Sequence, residues 1–209
     1  AEIRVGAPVR RVLIQGGRTT GVELSDGEII HARQVIARAH RVLVPSEDAA
    51  LIVEERVPDA VGKIDVVARA AVKLSTGGTD LRRSLGIPRQ RFLVFLPGGL
   101  RPIKGQHRAI SAIGVLRAAG ADIEMIVAGP EQDDAYVSEV RALCDQQASV
   151  RMLPPLARER MGAAYLDADV VLNTSMSEGA APTLLEAGIL GRPVIASDVP
   201  GNRELIRHK

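Results

Sequence analysis

Two carboxylates, Glu178 and Glu186, lie on either side of a turn made of the small residues Gly179, Ala180 and Ala181. Such residues leave the backbone N–H groups at a helix start uncovered, and these donors together with the helix dipole favour a phosphate. On a helix the two glutamates would be roughly 12 Å apart, which exceeds the roughly 5 to 9.5 Å between paired carboxylates in glycoside hydrolysis. The spacing therefore favours a long ligand with hydroxyls at both ends and phosphate in the middle, such as a nucleotide sugar.

A strand, a loop and a helix are predicted to position these residues. The apolar residues 169–173 favour a strand, and the small and polar residues 175–179 favour a loop. Residues 182–190 favour a helix that a glycine and a proline end. Because side chains on a helix lean toward its N-terminus, Glu186 is expected to point back to the mouth of the site.

The residues that follow extend this pattern. Residues 191–197 have the sequence GRPVIAS, and residues 201–204 have the sequence GNRE. Together with Glu178-Gly179 and Glu186, they resemble the donor-site signature of group 1 (family-4-type) retaining glycosyltransferases of the GT-B fold. The resemblance implies that Glu178 contacts hydroxyls of the donor sugar and that Glu186 contacts the ribose. The competing interpretation is that both glutamates only solvate a helix start.

Strands and helices alternate from residue 92 to the end of the chain. Apolar runs predict strands, and longer segments between them predict helices, with strands at residues 92–96, 123–128 and 150–153 and helices at residues 134–146 and 157–166. This order predicts an α/β fold with a doubly wound parallel sheet, one Rossmann-like half of a GT-B fold, after a small N-terminal β-meander. In such a sheet ligands bind beyond the carboxyl ends of the strands.

The loop after the first of these strands is rich in glycine and carries two cations, Arg101 and Lys104. The resemblance implies that Lys104 contacts the donor diphosphate, which a lysine serves well as a point charge. The arginine that the family usually places before this lysine falls on Gly99, so Arg101 is the alternative cation. The predicted catalytic residues are Glu178, Lys104 and Arg101, and Gly98 and Gly99 join the donor site. In the competing interpretation both cations are ordinary surface residues.

Three apolar residues complete the predicted donor site. The resemblance places Leu153 and Pro154 at the nucleobase, and Leu184 near the ribose. Apolar residues at strand ends and on helices are more often part of the core, which is the alternative for all three.

No metal or other cofactor is expected besides the nucleotide-sugar donor, which is a substrate. The histidines have no ligand spacing at positions 31, 40, 107 and 208. The resemblance implies that cations and a helix N-terminus stabilise the leaving diphosphate, which would make a metal dispensable.

Composition excludes several classes of partner. The 27 basic and 25 acidic residues give a net charge of +2 and are well mixed, and aromatic residues make up 2% of the chain, so nucleic acid is not indicated. No apolar run reaches the roughly 18 residues that span a membrane. The single cysteine, Cys144, excludes an internal disulfide, suits a reducing cytosol and is expected to pack in the core. We predict a cytoplasmic protein and leave association between copies open.

The N-terminal residues 1–37 differ from the remainder of the chain. Short alternating runs separated by turns, including Asp26-Gly27, predict an antiparallel meander. The segment is similar to a stretch of flavin-dependent amine oxidases and phytoene desaturases, but it lacks the glycine fingerprint that binds a flavin pyrophosphate. We therefore expect a structural meander without flavin. A fragment fused to an oxidoreductase segment is the alternative.

Residues 38–75 resemble the last strand and helix of an N-terminal GT-B domain and its linker, with Ser46 as the helix N-cap and the helix at residues 49–55. Residues 76–209 then form the nucleotide-sugar-binding domain, which stops soon after the GNRE sequence. Since little of an acceptor-binding domain is recognisable, we expect the chain by itself to transfer sugar slowly or not at all. The alternative function is a catalytically inert nucleotide-sugar-binding module.

Overall fold

The computed structural model describes residues 9–15, 18–24, 27–31, 40–67, 74–77 and 81–206. The chain divides into two compact units, Ala1–Ala68 and Arg69–Lys209. The division into segments 1–37, 38–75 and 76–209 stays a prediction. Among the described residues, no helix has both the length and the apolar character needed to cross a membrane.

The first unit begins with a three-stranded antiparallel sheet in the order β1-β2-β3. Its strands are β1 (Val9–Gln15), β2 (Arg18–Leu24) and β3 (Ile29–His31). Each strand pairs in antiparallel orientation with the next strand along the chain, which is the strand order of the predicted meander. The predicted turn at residues 16–17, and the first residue of the predicted turn at residues 26–27, lie outside the described residues.

The same unit contains a strand–helix–strand segment. Strands β4 (Val42–Val44) and β5 (Ile64–Val66) pair in parallel, and α1 (Glu47–Arg56) lies between them in the chain. Ser46 is the N-cap, as predicted, and its hydroxyl accepts a hydrogen bond from the Ala49 N–H at 3.1 Å. The helix therefore begins two residues earlier than residue 49, because the two acidic residues after the cap are already helical.

The second unit is built on a five-stranded parallel sheet in the order β10-β9-β6-β7-β8. Its strands are β6 (Phe92–Pro97), β7 (Ile123–Ala128), β8 (Val150–Leu153), β9 (Val170–Asn173) and β10 (Val194–Ala196). The chain moves outward from β6 to β8 and then returns to pair β9 on the other side of β6. This reversal confirms the predicted doubly wound sheet and creates a crevice beyond the carboxyl ends of β6 and β9.

Helices cover both faces of this sheet. They are α2 (Leu81–Leu85), α3 (Gln106–Ala118), α4 (Asp134–Asp145), α5 (Arg158–Asp167), α6 (Pro182–Ile189) and α7 (Pro200–Arg203). Alternate residues of β6 enter opposite core layers: Val94 and Leu96 pack with residues of α3 and α4, and Leu93 and Phe95 pack with residues of α2, α5 and α6. Both faces of the strand are buried, which explains its continuous apolar sequence.

The predicted core position of Cys144 is confirmed. The thiol is buried in the layer with α3 and α4. Burial raises its pKa to about 11, so the thiol stays protonated at neutral pH and is a poor nucleophile.

Paired charges hold the amino-terminal edge of the sheet. The buried Arg82 donates to Asp169 at 2.6 Å, and Asp169 in turn accepts from the Leu93 N–H. Glu124, which is 1% exposed, lies between Arg91 at 3.1 Å and Arg151 at 2.5 Å. A buried carboxylate is stable only when it is paired in this way. The charged residues at this edge therefore have a structural role.

Two helical glycines offer a matched test of the packing. A Cβ on Gly162 in α5 would overlap the Ser75 carbonyl oxygen, whereas a Cβ on Gly188 in α6 would meet nothing within 4 Å. We expect Gly162→Ala to lower the free energy of unfolding by about 1 to 3 kcal/mol, because the closely packed backbone must move. Gly188→Ala should leave it unchanged or raise it by up to about 1 kcal/mol. Urea unfolding of both variants measures this, and equal effects would contradict the described packing.

Candidate functional site

A cleft of about 200 Å³ lies beyond the carboxyl ends of β6 and β9. Three stretches line it: the end of β6 with the glycine loop, the residues after β9, and the start of α6. The lining residues are Leu96, Pro97, Gly98, Gly99, Lys104, Gln106, Asn173, Thr174, Ser175, Glu178, Ala181, Pro182 and Thr183. The cleft is therefore at the position where the reversal of strand order predicts a ligand site.

The loops after β6 and β9 are hydrogen bonded to each other. The Met176 N–H donates to the Ile103 carbonyl at 2.8 Å, and the Thr174 hydroxyl donates to the Lys104 carbonyl at 2.9 Å. Gly105 follows with a φ of 65°, and a Cβ there would lie 2.5 Å from the Thr174 carbonyl oxygen. Only glycine meets both conditions without strain, so the close approach of the two loops depends on this residue.

Opposite charges from these two loops meet in the cleft. The Lys104 ammonium donates to Glu178 Oε1 at 2.5 Å, and the two side chains are only 20% and 8% exposed. The same oxygen accepts from the Ser175 hydroxyl at 2.6 Å and from the Asn173 amide at 3.3 Å. Three donors on one carboxylate oxygen hold Glu178 in a single position.

These donors keep Glu178 ionised. Burial alone would raise the pKa of this carboxyl, but the hydrogen bonds from Lys104, Ser175 and Asn173 and the positive charge of Lys104 outweigh it. The pKa is therefore lowered from its ordinary value. At neutral pH the cleft holds a fixed carboxylate that accepts hydrogen bonds, beside a cation.

Backbone and amide groups complete the lining. Within the described residues, none of the backbone hydrogen bonds uses the N–H groups of Gly179, Ala180 or Ala181 at the start of α6. Gln106, which is 1% exposed, donates through Nε2 to the Gly99 carbonyl at 3.0 Å. Its Oε1 is buried without a partner among the described residues. The cleft thus offers a cation, helix-start N–H donors and a carboxylate, which suit an anion joined to a hydroxylated group.

The structure brings five of the predicted site residues together. Gly98, Gly99, Lys104, Glu178 and Ala181 all line the cleft. The helix begins at Pro182, so Glu178 lies in the preceding loop. The separation of roughly 12 Å between Glu178 and Glu186 assumed that both lie on one helix, and it therefore does not apply. Its neighbours Gly179 and Ala180 lie in the same loop, the first exposed and the second buried.

Five predicted residues lie elsewhere. Arg101 is exposed at the start of a 3-10 turn, Pro102–Lys104, and does not line the cleft. Leu153 and Pro154 line a separate cavity of about 620 Å³ beside β8, and Leu184 is buried in α6 at 4% exposure. Glu186 is half-buried, and its Oε2 accepts a hydrogen bond from the Tyr165 hydroxyl at 2.8 Å. Their proposed contacts with the donor stay predictions.

Sequence reasoning missed the polar residues that fix Glu178. Asn173 Oδ1 accepts from the Ser175 N–H at 3.0 Å, which turns the chain sharply at the end of β9. Ser197, directly after β10, donates through its hydroxyl to the Ser175 carbonyl at 2.5 Å, and Asn202 of α7 donates to the Ser197 carbonyl at 3.0 Å, so both residues support this turn. An asparagine at a strand end, two residues before a serine, was the available signal.

Comparison with known proteins agrees with this geometry. Residues 78–209 match the model of the family described as glycosyl transferases group 1. The chain belongs to this family. The family resemblance seen in the sequence is thereby confirmed at the level of group 1.

Curated relatives cover most of the chain. It is 30% identical over 190 residues to a D-inositol 3-phosphate glycosyltransferase of Rhodococcus erythropolis, an alignment that takes in 86% of this chain and 43% of that protein. A D-inositol 3-phosphate glycosyltransferase of Jonesia denitrificans is 31% identical over 135 residues, which are 61% of this chain and 32% of that protein. The chain thus spans less than half the length of these two relatives.

Solved structures share the fold of this chain. The Anabaena protein HepE in complex with UDP-glucose superposes with a TM-score of 0.73 at 24% identity, over 85% of this chain and 50% of that one. Sucrose-phosphate synthase from Thermosynechococcus elongatus superposes with a TM-score of 0.71 at 22% identity, over 82% of this chain and 44% of that one.

The hydrogen bonds to Glu178 predict a specific pH dependence of stability. Because the folded-state pKa is lowered from 4.5, Glu178 contributes stability above the unfolded-state pKa and loses it as the pH falls through the folded-state pKa. We expect Glu178→Gln to lower the free energy of unfolding by about 1 to 3 kcal/mol at neutral pH. The difference in the free energy of unfolding between the variant and the parent should shrink as the pH falls below 4.5, the ordinary pKa of this carboxyl group.

Urea unfolding between about pH 7 and pH 3 measures this effect. Glu131→Gln is a matched control, because its half-exposed ion pair with Arg141 should contribute less than about 1 kcal/mol. A deficit for Glu178→Gln that does not change with pH would contradict the assigned ionisation.

Proposed function

We propose that this chain is the donor-binding domain of a retaining GT-B glycosyltransferase of the family-4 type, which moves a sugar from a nucleoside diphosphate to an acceptor hydroxyl. The observation that carries the proposal is the juxtaposition of Lys104 and Glu178 in a cleft lined by glycine backbone and the start of α6. Membership of group 1 supports it, as do the names of the curated relatives and the complex of Anabaena HepE with UDP-glucose.

Each group in the cleft has a place in the reaction. The bond between the anomeric carbon and the diphosphate oxygen breaks, and the acceptor oxygen forms a new bond to that carbon on the same face of the sugar. The acceptor proton passes to the departing diphosphate. Lys104 and the N–H groups near Ala181 stabilise the charge that develops on the diphosphate. Glu178 accepts hydrogen bonds from sugar hydroxyls and so fixes the ring relative to the breaking bond.

The remaining predicted residues extend this site. Pro182 and Thr183 line the cleft, and Glu186 lies one helical turn further along the same face of α6, where it would bind the ribose. Arg101 lies in the same loop as Lys104 and would approach the diphosphate from the exposed side. Leu153 would contact the nucleobase, and Leu184 would support the ribose site from the core.

Removal of the cleft cation tests the proposed diphosphate site. We expect Lys104→Met to weaken binding of a nucleoside diphosphate roughly 10- to 150-fold, because a charge-assisted contact contributes about 1.5 to 3 kcal/mol. Calorimetric titration with UDP, GDP and ADP measures this. Arg117→Met, which removes one positive charge at the far end of α3, controls for net charge and should bind as the parent does. Equal affinities for parent and Lys104→Met would place the diphosphate elsewhere.

Replacement of the cleft carboxylate tests the proposed sugar contact. Glu178→Gln keeps the side-chain shape and removes the charge, so the affinity for UDP-glucose relative to UDP should fall roughly 5- to 30-fold, or about 1 to 2 kcal/mol. Binding of UDP itself should not weaken, because Lys104 no longer has a carboxylate partner. Titration of both ligands into both proteins gives the ratio. An unchanged ratio would mean that Glu178 does not contact the sugar.

A further inference from the structure

Tyr165 combines complete burial with a polar contact. It is the largest side chain without solvent exposure among the described residues, and its ring packs edge-on against Phe95 with the ring centroids 5.5 Å apart. A phenylalanine would fill this position in the core equally well. The hydroxyl therefore needs a separate explanation, because a buried O–H is unfavourable unless it finds an acceptor.

The acceptor is the carboxylate of Glu186. The Tyr165 hydroxyl, from α5, donates to Glu186 Oε2 at 2.8 Å, which is an O–H···O hydrogen bond of ordinary length between two helices. Glu186 Oε1 accepts no hydrogen bond from the described residues. One oxygen of this carboxylate is thus fixed to the core, and the other is available to a ligand.

The geometry explains how a flexible side chain is held still. A glutamate on an exposed helix face samples several rotamers, and fixing one of them at the moment of binding costs free energy. The ring of Tyr165 cannot move because it is packed against β6, so its hydroxyl is a rigid donor. Burial, followed by the hydrogen bond and negative charge of Glu186, raises the pKa of this hydroxyl, which therefore stays protonated and able to donate.

We propose that Tyr165 is a positioning residue for the donor site: it orients the Glu186 carboxylate so that Oε1 accepts hydrogen bonds from the ribose hydroxyls of the nucleotide. The inference rests on the proposed function, in which Glu186 contacts the ribose. It adds a residue from the hydrophobic core, on a different helix, to the determinants of nucleotide recognition.

A comparison of ribose and deoxyribose ligands tests this role. The parent, Tyr165→Phe and Tyr136→Phe are titrated with UDP, GDP and ADP and with the 2′-deoxy and 3′-deoxy analogues of each. Tyr165→Phe keeps the buried ring and removes only the hydroxyl. Tyr136→Phe is the matched control, since it removes the other buried tyrosine hydroxyl, which contacts His107 and not Glu186.

We expect the parent to prefer at least one ribonucleotide over its deoxy analogues. Tyr165→Phe should reduce this preference roughly 2- to 12-fold, the range for the net contribution of one typical hydrogen bond, while its affinity for the deoxy analogues stays that of the parent. Tyr136→Phe should keep the full preference. A structural role alone would not produce this result, because it would weaken ribose and deoxyribose ligands equally.

The other outcomes are distinguishable. If the parent binds no nucleoside diphosphate, the proposed function fails and this inference fails with it. If the parent binds but does not discriminate against deoxyribose, Glu186 does not contact the ribose and the inference is wrong, while the diphosphate site stands. If the parent discriminates and Tyr165→Phe keeps the same preference, or loses affinity for all ligands equally, Tyr165 does not position Glu186.

Discussion

The ion pair between Lys104 and Glu178 is the interaction on which the cleft depends. It joins the loop after β6 to the loop after β9, which the Thr174 hydroxyl and the Met176 N–H also connect. A mostly buried pair is stable only if hydrogen bonds satisfy its remaining polar atoms, and Ser175 supplies one of them. Because these contacts are all made by loops, the site can exist only where the sheet brings the two strand ends side by side.

The two ends of the strands in this sheet have different roles. At the amino-terminal edge, Arg82 and Glu124 are paired with partners from neighbouring elements, so the charges there are neutralised within the protein. At the carboxyl edge the chain contributes glycines and helix starts, which leave donors exposed to a ligand. Gly201 shows how tightly this edge is built, since a Cβ there would overlap the Glu178 carbonyl oxygen. The GNRE sequence therefore has a steric role behind the cleft.

The sheet and its helices could be predicted because apolar periodicity and turn residues are local signals, and β7 lies within the bounds that its sequence suggested. The approach of Lys104 to Glu178 followed from the rule that strand ends converge, together with the family resemblance. Their direct pairing could not be predicted, since it depends on loop conformations that side chains such as Asn173 decide. The Tyr165–Glu186 hydrogen bond could not be predicted from the sequence for another reason. Apolar periodicity can indicate that a tyrosine ring lies in the core, but it does not indicate which group its hydroxyl contacts.

The pairing of Lys104 with Glu178 has a consequence for selectivity under the proposed function. A ligand that offers only an anion would draw Lys104 away and leave the buried carboxylate of Glu178 with less compensation. A sugar alone would donate hydrogen bonds to Glu178 and leave the ammonium of Lys104 without an anion. A nucleotide sugar supplies both at once: its diphosphate replaces Glu178 as the partner of the cation, and its hydroxyls replace the cation as donors to the carboxylate. The ion pair thus favours the intact donor over either of its fragments, and cleavage of the donor removes that advantage and favours release of the products.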